Sequence, residues 1–308
     1  MKNIITYLYS KTENYLLDEI KDKYSFLLFQ KGVYLFLILY TFYLLPIAPQ
    51  LYGSNSLFPA IKMNISFIYK PINLLQYSNI NKFYYLFIVS QLFFLIFGII
   101  ISKFRLISIL IYFITVNLFN KTYLMNTGAQ QLLSLMLIFM ILINIDYKSK
   151  KSHFRQINNA LSNIGIIACK IQIIVLYLFS AFYKYLGVYW VKGEALFFAL
   201  KIEDYCPIWL TGNLTSNNFL LQVGTYITLI YLTFFPLLIW LKRIKLKFLL
   251  LGVFLHLTIS FFMGIVDLGL VMIISYLIFI PNDLAFSILN KSKLIPIKKG
   301  RLIGLFCI

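Results

Sequence analysis

The stretch FYYLFIVSQLFFLIFGIIIS, residues 83–102, decides the fold. It runs twenty positions without a Lys, Arg, Asp or Glu, and most of them are aromatic or branched aliphatic. Such a run has no face to offer water, and about 20 apolar residues is the length that carries an α-helix across a bilayer. Residues 32–61, 122–145, 205–241 and 248–266 are equally free of charge. The chain as a whole agrees, at 61% hydrophobic, 18% aromatic and 12% charged, with a mean hydropathy of +0.84. A soluble domain has no use for that much apolar surface. We therefore expect an all-α polytopic membrane bundle, because helices and closed barrels alone satisfy their backbone groups in lipid.

Divided at its charges, the chain offers an N-terminal segment 1–24, a membrane domain 25–285 and a basic tail 286–308. Eight helices are expected, near 30–50, 83–101, 106–123, 127–145, 164–187, 219–241, 248–264 and 267–283. The last two share one apolar run, Leu246 to Pro281, whose 36 residues exceed one crossing; Gly264 and Asp267 mark its break. Each half then barely spans, so a re-entrant pair is the alternative. Ahead of the domain, Leu8, Leu16, Leu17, Ile20 and Tyr24 suit an amphipathic helix on the membrane surface, or else a frayed tail. Glu13, Asp18, Glu19 and Asp22 argue against a signal peptide in this stretch.

A net charge of +18 would suit nucleic acid if it lined a soluble face, but here the basic residues flank the apolar runs. With the N-terminus in the cytoplasm, the inner segments hold nineteen of the 28 Lys and Arg and the outer segments six. Lys31, Lys170 and Lys184 lie at membrane depth or at its edge. This is the positive-inside pattern, and it places both termini in the cytoplasm; the excess also suits anionic head groups. Cys169, Cys206 and Cys307 have no zinc-ligand or CxxC spacing, and no metal site is expected. Asn213-Leu-Thr215 matches a glycosylation sequon of the kind that Asn-rich chains meet by chance.

Polar groups at membrane depth are costly, so they carry the functional expectation. On the fifth helix Lys170, Tyr177, Ser180 and Lys184 share a face at steps of 7, 3 and 4. Lys170 suits an anchor on lipid phosphate at the inner end. Lys184 lies near the outer end, where an amine partly cut off from water can act as a base; the plainer alternatives are snorkelling or a pair with Glu194. On the seventh helix His256, Ser260 and then Asp267 align at steps of 4 and 7, an arrangement that suits a proton shuttle or a packed histidine. On the fourth, Asn126, Gln130, Ser134 and Asn144 form a stripe of packing amides, with a ligand contact as the lesser reading. His153 belongs to a solvated basic loop. No GxGxxG, Walker, HExxH or GxSxG motif is present.

One segment is more specific: Tyr177-Leu-Phe-Ser-Ala-Phe-Tyr-Lys184-Tyr-Leu-Gly187-Val-Tyr-Trp190-Val-Lys-Gly193-Glu-Ala-Leu196. It resembles the horizontally transferred transmembrane domain, the membrane part shared with vitamin K-dependent gamma-carboxylases. Asn126-Thr-Gly128, Leu255-His256, Gly264 and Tyr276-Leu-Ile-Phe279-Ile-Pro281 look similar to other stretches of that domain, and together the likeness spans most of 25–285. Lys184 lies six residues before Trp190, as in the sporulation-delaying-protein B type, a stand-alone bacterial form. Carboxylases place their base lysine five before the tryptophan, where this chain has Tyr185, and they begin the fourth helix with a histidine that is missing here. The resemblance implies a multi-pass protein of the bacterial cytoplasmic membrane, in contact with a secreted toxin-like precursor peptide and a small accessory protein, and with no nucleic acid.

The leading expectation is maturation or export of such a peptide at an outward-facing polar cavity. Lys184, His256 and Asp267 would carry the chemistry, with Asn126, Gln130, Tyr177, Ser180, Trp190 and Gly193 lining the cavity. The second is a carboxylase-like enzyme using a reduced quinone, CO₂ and O₂. A small-solute transporter or channel is the third, although no inverted repeat is evident. A scaffold subunit without chemistry is the fourth.

Overall fold

The computed structural model describes residues 16–58, 71–101, 105–145, 147, 151–202 and 215–292. Every regular element among them is helical. The main helices are α1 (Lys23–Leu44), α2 (Tyr84–Ile100), α3 (Arg105–Lys121), α4 (Gly128–Met140), α5 (Ser152–Leu186), α6 (Asn218–Leu238), α7 (Lys245–Met263), α8 (Val266–Ser275) and α9 (Asn282–Lys291). Single turns of helix at Ala48–Tyr52, Val188–Val191 and Ala195–Leu200 decorate the links.

Each expected helical stretch contains a helix, with shifted ends. Among the described residues, four helical stretches are long and apolar enough to cross a membrane alone: Lys23–Tyr52, Ser152–Leu186, Asn218–Leu238 and Lys245–Met263. A fifth is counted if Val266–Phe279 and Asn282–Lys291, bent by 112°, form one span. The expected helix 127–145 ends at Met140, and its 13 residues rise only about 20 Å. The expected helix 164–187 begins twelve residues earlier, at Ser152. There Asn159 and Asn163 donate to the carbonyls of Leu16, Leu17, Asp18 and Glu19. The polar start of α5 is thus a clamp on the chain ahead of α1.

α1 is central. Phe26, Phe29, Val33, Tyr34 and Leu37 are buried against its neighbours, whereas Leu35, Leu39 and Tyr43 face outward. That outward apolar face is what a helix in lipid requires. α1 packs on α2, α8, α9 and the 3-10 turn Tyr276–Phe279, and α5 lies between α4 and α6. The break expected at Gly264 is present. Gly264 adopts φ 67°, a left-handed conformation that glycine takes without penalty, and it ends α7. α7 and α8 then fold back on each other so closely that a Cβ on Gly269 would overlap Ser260 Oγ.

Among the described residues, the chain ahead of α1, Arg105 and the first half of α5 gather at one end of the bundle. Lys170 forms an ion pair with Asp22, the backbone N–H of Lys21 donates to Asn163 Oδ1 (2.7 Å), and Arg105 donates to Leu142 O and Asn158 Oδ1. Lys170 therefore has a carboxylate within the protein, in place of the lipid phosphate expected from sequence. At the opposite end the backbone N–H of Leu74 donates to Asn117 Oδ1 (2.6 Å) and the buried Lys121 ammonium donates to Phe58 O (2.8 Å). Cys206, Cys307, Glu203, Asp204, Asn213 and most of the 1–24 segment lie outside the described residues.

Candidate functional site

The residues singled out in the sequence fall into three settings. The first is an acidic node. Thr127 caps α4 and, with Gln130, forms a capping box. The Thr127 hydroxyl donates to Asp267 Oδ2 at 2.7 Å, and the Gln130 amide donates to the same oxygen at 3.1 Å and to Tyr40 Oη at 3.0 Å. Asp267 thus ties the start of α8 to the start of α4. Asn126 precedes the helix and donates to Phe119 O (2.9 Å); Asn144 follows it, and its backbone N–H donates to Ser162 Oγ. The expected stripe of Asn126, Gln130, Ser134 and Asn144 on one helix face is therefore corrected. Two of the four lie beyond the helix, and Ser134 returns its hydroxyl to Gln130 O.

The second is a buried chain of rings. Tyr231 donates to Tyr276 Oη (3.0 Å), Tyr276 and Tyr177 share a short hydrogen bond, and Tyr177 meets His256 Nε2 at 2.8 Å. All four are buried, and Phe235 stacks on Tyr177 with centroids 3.8 Å apart. Gly252 makes room, since a Cβ there would overlap the hydroxyls of Tyr231 and Tyr276. The chain links α5, α6, α7 and the end of α8. His256 spends Nε2 here, and Ser260 turns its hydroxyl back to His256 O (2.8 Å). The expected alignment of His256, Ser260 and Asp267 fails because the left-handed turn at Gly264 ends the helix before Asp267 is reached.

The third is an open groove of about 470 Å³ between α4 and α5. Gly128, Gln131, Leu132 and Leu135 form one wall; Gln172, Leu176, Phe179, Ser180 and Lys184 are prominent on the other. Lys184 is the charged residue of this lining, and its ammonium sits 4.8 Å from the centroid of the Trp190 ring, within cation–π range. Gly187 permits this turn. Its N–H bonds to Lys184 O at 3.0 Å, and Trp190 folds back over it. Gly193, at φ 78°, brings the 188–200 link against Gln222 and Tyr226 of α6, where a Cβ would come within 2.7 Å of Gln222 Cγ. It packs the link rather than meeting Lys184.

Lys184, His256 and Asp267 thus occupy three settings instead of one hollow, although Gly128 of the groove adjoins the Thr127–Asp267 bond. One residue of register also matters. Tyr185 turns to α6 and bonds Thr233 Oγ1 at 3.0 Å, while Lys184 lines the groove facing α4. Sequence reading missed Gln131 and Gln172. For Gln172 the signal was present, since residues 172, 176, 180 and 184 form an i, i+4 row; Gln131 lies on α4, outside that row. No family model, curated protein or solved structure matches the chain.

Proposed function

We propose that this chain is an eight-crossing protein of the bacterial cytoplasmic membrane, with both termini cytoplasmic, that acts in maturation of an exported peptide at the α4–α5 groove. The orientation rests on nineteen of 28 basic residues falling in the inner segments, and on the mutual contacts of the N-terminal segment, Arg105 and the start of α5 at one end. The observation that carries the reading is Lys184 lining an open groove beside Trp190, far along α5 from its basic start. A cation held there, in a wall of Leu132, Leu135, Leu176 and Phe179, is a recognition point for an acidic group on an otherwise apolar substrate. His256 and Asp267 support it at a distance by fixing α7 and α8 against α5 and α4.

Carboxylation driven by a reduced quinone is the narrower form of this reading. The placement of Tyr185 on Thr233 weakens it, because the carboxylase base position is turned away from the groove. The test is made in cells that secrete the cognate peptide. Lys184→Ala at unchanged membrane abundance is expected to reduce mature peptide at least about ten-fold, equivalent to about 1.4 kcal/mol. Full maturation by that variant would remove the proposal and favour a scaffold.

A further inference from the structure

In the helices of this protein a hydroxyl normally has a partner. Thr41, Ser134, Thr225, Thr233, Thr258 and Ser260 each return theirs to the carbonyl four residues back. Three buried glutamines behave likewise: Gln30 bonds Tyr34, Gln91 bonds Thr115, and Gln130 bonds Tyr40 and Asp267. The α4–α5 groove departs from this habit. Gln131, Gln172 and Ser180 have no side-chain hydrogen bond among the described residues, and all three line that one groove with Lys184; Gln222 of α6, packed against Gly193, is a further such amide, but it stands apart from the groove. An unsatisfied polar group facing hydrocarbon is costly, so three around one groove, Gln131 on the α4 wall and Gln172 and Ser180 on the α5 wall, point to something that satisfies them.

We propose, resting on the reading above, that the groove holds an extended, membrane-dissolved peptide segment bearing one acidic group, with the carboxylate on Lys184 and the backbone amides on Ser180, Gln131 and Gln172. Spacing decides for a peptide against a lipid. Gln172 lies twelve residues from Lys184 along α5, about 18 Å at helical rise, and eight from Ser180, about 12 Å. A phospholipid whose phosphate meets Lys184 keeps its ester carbonyls near that phosphate, and its acyl chains offer no hydrogen-bond partner as far along the groove as Gln172. An extended peptide offers a donor and an acceptor about every 3.3 Å, so five or six residues span the row. The need is mutual, since peptide groups in hydrocarbon require partners, and a glutamine side chain both donates and accepts. The groove is open rather than enclosed, so such a segment enters sideways from the bilayer.

The test uses the full chain in phosphatidylcholine nanodiscs. The probe is a dansyl-labelled, amide-capped Leu-Val-Leu-Ala-Leu-Glu peptide, compared with the same peptide ending in Gln. The acidic peptide is expected to bind about ten-fold tighter. Lys184→Met is expected to erase that preference, and Gln172→Leu to weaken both peptides about three-fold. The unfolding midpoint of Gln172→Leu is expected to stay unchanged, because its amide has no protein partner to lose. Equal binding of the two peptides by the unaltered chain would overturn the proposal. So would displacement of the peptide by phosphatidylglycerol together with indifference to Gln172→Leu, which would make a lipid the occupant. If no peptide binds while Lys184→Ala still stops maturation in cells, this inference falls and the functional reading stands. If binding behaves as described while Lys184→Ala leaves maturation intact, the functional reading falls and the binding site stands.

Discussion

At the scale of single residues, the ring chain separates polar groups that hold the bundle from those that wait for a ligand. His256 Nε2 ends a chain of hydroxyls through Tyr177, Tyr276 and Tyr231, all buried. Removing it leaves the buried Tyr177 hydroxyl short of a hydrogen-bond partner, which costs about 1–3 kcal/mol. His256→Leu is expected to lower stability by that amount in denaturant titrations of the micelle-bound protein. Tyr177→Phe is expected to cost a similar amount, because it takes a hydrogen-bond partner from both His256 and Tyr276; a His256→Leu protein as stable as the parent would contradict this pairing. Gly252→Ala is expected to cost about 1–3 kcal/mol in the same assay, since its Cβ would overlap two hydroxyls. At this scale the sequence was partly legible. Lys184 and His256 stood out as polar groups in apolar runs, but Tyr231 and Tyr276 were two among 23 tyrosines. Nothing local marks a tyrosine whose partner lies 45 or 99 residues away.

Among elements, each of the eight stretches expected from hydropathy holds a helix, but α9 was missed and the ends were misjudged, because ends are set by contacts distant in sequence. α5 continues to Ser152 through a polar stretch, since Asn159 and Asn163 bind the 16–19 backbone. α1 starts where it does because Asn282 Oδ1, at the start of α9, accepts from the N–H groups of Tyr24 and Ser25 (2.7 and 3.4 Å). A side chain 258 residues away thus does the work of an N-cap. Asn282→Ala is expected to destabilise by about 1 kcal/mol, with earlier hydrogen exchange at the first turn of α1 than elsewhere in it. Uniform exchange along α1 would contradict the capping role. The pairing of Lys170 with Asp22 makes a matching claim for α5. A double-mutant cycle with Lys170→Met and Asp22→Ala is expected to give a coupling of up to about 1 kcal/mol, whereas a purely lipid-anchored lysine gives none.

Over the whole molecule, the all-α bundle was legible because lipid leaves helices few alternatives. Less legible was how polar groups sort themselves within it. Periodicity gave α5 one polar face, yet folding divides that face: Lys170 goes to an acid, Tyr177 to the core, and Ser180 and Lys184 to the groove. The division depends on which helices flank α5, and single-chain periodicity carries no such information. The account requires that the groove's Lys184 end face the outside of the cell. Its most direct test is cysteine labelling in intact cells, using Lys184→Cys in a chain whose Cys169, Cys206 and Cys307 are changed to Ser. A membrane-impermeant maleimide added outside is expected to label position 184, while Lys170→Cys in the same background stays unlabelled until the membrane is opened. Labelling of position 184 only after permeabilisation, or of position 170 from outside, would contradict the account.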